Sequence, residues 1–202
     1  MTYTFVRDRA EYDAVLADMA RVVEPGKRLP TWPFRSKQGQ VDICEYNEFS
    51  DDDFTEALEI LARVHGDARI SMVVVDPDPE EYHIREHGHF PCFTMPTGDI
   101  ESSYWDAVSY EPQDDPGAAV LYADAFAIFG DSGRWAVWGQ RDWEVVVIQA
   151  EGVTRPWRDG TDIFVSPETA VTRFIQPDLG GSRWSRDETD SFVARMSKPG
   201  AR

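Results

Sequence analysis

Apolar positions at Tyr12, Val15, Leu16, Met19 and Val23 recur at helical intervals. Asp8 lies three residues before Glu11, the spacing of a capping box, so the pattern predicts an amphipathic helix over about 9–23, closed by Pro25 and Gly26. The next stretch, 26–39, holds Lys27, Arg28, Arg35 and Lys37 with no acid, around Pro30, Trp32, Pro33 and Phe34. Prolines at that density exclude regular structure, so this is a basic, aromatic loop, expected to pack Trp32 and Phe34 on the core and to turn its cations toward the acidic middle of the same chain. Val41 to Tyr46 reads as a strand. Ser50 is placed to cap a second helix, in which Phe54, Ala57, Leu58, Leu61 and Ala62 form the apolar stripe, Asp51, Asp52 and Asp53 suit the positive helix end, and Gly66 is the stop.

Arg69 to Asp76 is a continuous apolar run ended by Pro77, as in a strand covered on both faces. Asp78 and Pro79 open a predicted short helix closed by Gly88; 90–95 is extended, and 97–110 holds another turn or two of helix. From Ala118 onward the pattern changes to strands: 125–129, a turn at Gly130, Asp131, Ser132 and Gly133, then 134–139 and 144–149. Trp135 and Val137 fall on one face and Ala136 and Trp138 on the other, so these strands need cover on both sides. Asp162–Val165 reads as one more strand. Ser166-Pro167-Glu168 opens a helix, Gly180 and Gly181 form a hinge, and Ser185 with Glu188 caps a terminal helix through Met196, with 198–202 a disordered tail.

Helices, then a meander, then helices predict a single α+β domain over 1–202, with a mainly antiparallel sheet covered by helices. The 12% aromatic content supports a real core. No apolar run approaches the ~20 residues of a membrane span, and the N-terminus lacks the basic-then-apolar order of an export signal, so a cytoplasmic protein with reduced Cys44 and Cys92 is expected.

The formal net charge is −17, and residues 51–150 hold 21 acids against 5 bases. An excess of 16 negative charges in the middle half repels nucleic acid and anionic membranes and attracts cationic partners. The plainer explanation of such charge is solubility.

Three of the four histidines, His83, His87 and His89, fall within seven residues, with Cys92 close behind. On a helix His83 and His87 share a face, so with His89 or Cys92 they form a candidate zinc set, and Glu81 or Glu86 a candidate general base. Against zinc, the run H-I-R-E-H is not HEXXH and there is no paired C-x-x-C. No phosphate-cradling glycine motif is present, and Gly-Asp-Ser-Gly between two strands is a hairpin loop, not a nucleophile site.

The leading expectation is a non-enzymatic acidic module that binds a basic protein and needs no cofactor. Its contact residues are Asp51, Asp52, Asp53, Glu56, Asp114 and Asp115, with Trp105 and Trp143; Trp157 is a further interface candidate. In size, charge and lack of catalytic motifs the chain looks like the immunity proteins of bacterial toxin systems as a general type. The alternative is a small zinc enzyme built on the histidine cluster.

Overall fold

A computed structural model describes residues 3–77, 80–111, 117–152, 154–175 and 184–197. Seven strands form one sheet: β1 (Thr4–Phe5), β2 (Gln40–Glu45), β3 (Arg69–Asp76), β4 (Cys92–Pro96), β5 (Ala125–Gly130), β6 (Trp135–Gln140) and β7 (Val145–Ala150). Their order is β1-β4-β3-β5-β6-β7-β2, and every pairing is antiparallel. Residues β5 to β7 are the expected meander. The outer strands β1 and β2 come from far away in sequence.

Both faces of the sheet are covered. On one side Ala127, Trp138 and Val147 meet α1 (Arg9–Val22), the loop 26–39 and the C-terminal helices. On the other, Ile128, Val137 and Val146 meet α2 (Asp52–His65) and α4 (Ile100–Val108). The short α3 (Glu80–Glu86) and α5 (Ala119–Tyr122) flank the sheet connections; α6 (Pro167–Ala170) runs into a π turn, and α7 (Arg186–Ser197) closes the described chain. No described helix is long and apolar enough to cross a membrane.

Local signals resolve as their chemistry dictates. The Asp8 carboxylate accepts from the amides of Ala10 and Glu11 at the start of α1, and the Ser185–Glu188 box closes reciprocally at α7. Gly66 ends α2 in the left-handed conformation, at φ 74°. In the hairpin turn, the Asp67 carboxylate accepts from the Ser132 amide and from Trp135 Nε1, at 2.5 and 2.6 Å. Gly130 is required there because a Cβ would sit 2.2 Å from that carboxylate. The loop 26–39 does bury Trp32 and Phe34. Of its cations, Arg28 reaches an acid of the middle half, lying 3.5 Å from Asp76 and over the Trp138 ring, whereas Lys27 pairs with the nearby Glu24.

Four local expectations need correction. The N-cap of α2 is Asp51, because Tyr46–Ser50 forms a 3-10 turn in which the Ser50 hydroxyl donates to the Asn47 carbonyl. Asp162–Val165 makes only an isolated bridge, Val165 to Ile43, since Pro167 immediately redirects the chain into α6. The helical turn α5 arises where strand was expected, four apolar residues being too few to show a period. Trp143 and Trp157 are fully buried, as described below. The cap at Asp78 and Pro79, the hinge at Gly180 and Gly181 and the tail 198–202 lie outside the described residues.

Candidate functional site

Helices α2 and α4 pack side by side over one face of the sheet and turn their polar sides outward. On α2, Asp51, Asp52 and Glu56 are exposed. Asp53 is half-buried and accepts a 2.8 Å bond from the Thr161 hydroxyl. Among the described residues none of the four forms an ion pair. The one basic side chain on the outer face of α2, Arg63, lies 3.7 Å from Glu59. On α4, Trp105 is 53% exposed, between exposed Glu101 and Asp106, and the helix carries no cation.

The structure adds acids that sequence reasoning missed. Burial raises the Glu48 carboxyl above its usual range, and Asp51, Glu45, Asp53 and Asp162 raise it further. Five carboxylates therefore share one field at the N-terminal end of α2. The 3-10 turn brings Glu45 and Glu48 to this end; Asp162 arrives by tertiary folding alone, and nothing local in the sequence signals it. Asp114 and Asp115 lie outside the described residues.

Trp143 does not belong to this surface. It is fully buried, stacked between Trp184 at 4.4 Å and Phe192 at 5.2 Å, because a 3-10 turn after β6 swings it under α7. Trp157 is also buried, and its indole N–H donates to Asp42 at 2.8 Å. Trp105 alone of the three interface candidates remains at the surface.

The histidines do come together, with ring centroids 4.9 Å apart for His83–His87, 5.6 Å for His83–His89 and 6.0 Å for His87–His89. His83 and His89 are buried and His87 half-buried. His89 Nδ1 lies 2.8 Å from the Phe90 carbonyl, so Nδ1 carries the proton in the neutral ring. Cys92 is a buried free thiol in the core under α1, with its ionisation pushed well up by burial. Among the described residues no three His, Cys, Asp or Glu side chains are grouped so as to hold a metal ion. The cluster is an aromatic packing unit: His89 stacks on Phe5 at 4.3 Å, and His83 lies 4.8 Å from Tyr122.

Burial, partly opposed by the Phe90 carbonyl bond, lowers the proton affinity of His89, and His87 and Arg7 lower it further. A depressed imidazole contributes stability that is complete above the unfolded value of about 6.5 and is lost as pH falls below it. Melting curves between pH 7.5 and 5 should therefore show the unchanged protein losing stability toward acid, with a shallower loss in His89→Gln. Parallel curves for the two proteins would refute the assignment.

Comparison of the chain with protein-family models, with curated proteins and with solved structures finds no match.

Proposed function

We propose that this chain is a non-enzymatic protein-binding module whose α2–α4 face engages a cationic protein, in the general manner of immunity proteins that neutralise basic toxins. The observation that supports this most is the uncompensated field at the start of α2. Burial first, and then the four neighbouring carboxylates Asp51, Glu45, Asp53 and Asp162, raise the proton affinity of Glu48, where a surface kept only for solubility would intersperse cations. An exposed tryptophan on the neighbouring helix adds the kind of anchor that interfaces use, apolar in body with one donor. Association driven by such a face is fast and falls as salt rises.

The test uses an arginine-rich probe peptide titrated by calorimetry at several salt concentrations. Asp51→Asn, Asp52→Asn, Asp53→Asn and Glu56→Gln together should weaken binding by about tenfold or more, equivalent to ~1.4 kcal/mol. The control removes the same charge elsewhere, through Glu144→Gln, Glu151→Gln, Asp187→Asn and Asp190→Asn, all exposed. Equal losses in the two sets would mean that only the global charge matters, and the face would lose its role. Trp105→Ala is expected to weaken binding severalfold with no change in melting temperature.

A further inference from the structure

Away from the α2 face, strand β1, the start of α1 and the segment after α4 enclose a surface pocket of about 480 Å³. Its walls are aromatic. Phe5 forms the base, with Tyr3 edge-on at 5.6 Å and Tyr110 tilted at 4.9 Å. The inner side of Phe5 is taken by the stacked His89, so the ring surface left to solvent belongs to Tyr110, 37% exposed, and to half-buried Tyr3. Its rim is acidic: Asp8 and Glu11 line it, and Asp106 lies near enough to raise the proton affinity of the Tyr3 hydroxyl, after burial. Both amides that cap α1 bond to Oδ1 of Asp8, so neither cap bond uses Oδ2. Arg7 is the single cation in the lining, against the two carboxylates of Asp8 and Glu11, with Asp106 close by.

Aromatic faces with carboxylates at their edge are what a guanidinium group needs. The plane stacks on a ring while its N–H donors meet an oxygen acceptor, and the pairing strengthens as water is excluded. We infer that this pocket receives an arginine side chain of the cationic partner, held between Tyr3 and Tyr110 and paired with Glu11 or the second oxygen of Asp8. The inference rests on the proposed binding function and adds a second, chemically distinct contact to it. The α2 face supplies a salt-sensitive field, whereas the pocket supplies a short-range site that discriminates arginine from lysine.

Octa-arginine and octa-lysine serve as probes, measured by fluorescence anisotropy with labelled peptide at 50 and 300 mM salt. The double variant Tyr3→Leu, Tyr110→Leu keeps apolar volume and removes the ring faces; it should bind octa-arginine about tenfold more weakly, with the difference persisting at high salt, while Tyr3→Phe, Tyr110→Phe binds as before. Glu11→Gln, on an exposed side chain that cannot disturb the core, should cost severalfold and affect octa-lysine less. Unchanged octa-arginine affinity in both the Leu pair and Glu11→Gln overturns the pocket. If the α2 quadruple variant still weakens binding in that case, the proposed function stands without the pocket. If neither set weakens it, both fall.

Discussion

Asp42→Ala should destabilise the protein by about 3 kcal/mol. Asp42 lies on the edge strand β2 and is 1% exposed. Arg155 donates to it at 2.9 Å, Arg158 stands 3.4 Å away, and Trp157 Nε1 donates to its other oxygen at 2.8 Å. Burial outweighs these partners and holds the carboxyl above its usual range, so the network adds little net stability over an apolar substitute for all its members. Removing the carboxylate alone is different: it leaves a buried indole N–H without its acceptor and two cations without their carboxylate, although Arg155 still donates to Gln40 Oε1 at 2.8 Å and Arg158 to the Phe164 carbonyl at 3.0 Å. The cations are about one-third exposed and recover water, which keeps the loss toward the lower end of ~3–5 kcal/mol for a broken buried pair. Asp42→Asn, which retains one acceptor, should lose less. Urea unfolding of the three proteins measures both steps, and a midpoint for Asp42→Ala equal to that of the parent would show that the network does not hold the 155–158 turn.

Trp143→Ala should cost about 3–5 kcal/mol, because it opens a cavity between Trp184, Phe192 and the sheet that the short turn at Arg141–Trp143 cannot collapse into. Binding of a cationic probe by the remaining folded fraction should be unchanged, the reverse of Trp105→Ala. This pair of variants separates a core tryptophan from a surface one by experiment. Trp143→Phe, which removes an indole N–H that has no hydrogen-bond partner among the described residues, is expected to recover most of the loss.

Those two tryptophans also show where sequence reading stopped. Each sits beside acids and near an element end, Trp105 next to Asp106 and Trp143 next to Asp142, so local pattern treats them alike. One lies on the outer side of a helix whose stripe is Ile100, Tyr104, Ala107 and Val108; the other is carried inward by a 3-10 turn and covered by a helix some forty residues later. In the same way Asp42 reads as the polar member of an alternating strand. It is buried because residues 155–158 fold back over β2, at a separation that no window of periodicity spans. The acids of α2 were legible as a run, but their union with Glu48 and Asp162 was not. The pocket walled by Tyr3, Phe5 and Tyr110 left no sequence signal either, since its rings come from opposite sides of a hundred-residue interval.

By itself the sequence determined what short-range physics decides. The capped starts of α1 and α7, the stop at Gly66, the turn between β5 and β6, the two-faced burial of the meander and the concentration of negative charge in residues 51–150 follow from periodicity, capping oxygens and glycine freedom acting over a few residues. Only the tertiary structure decided the strand order, the burial of Trp143 and Asp42, the assembly of the histidines into an aromatic unit and the meeting of α2 with α4. Those outcomes depend on which distant surfaces exclude water together, and the free energy of that choice is spread over the whole core.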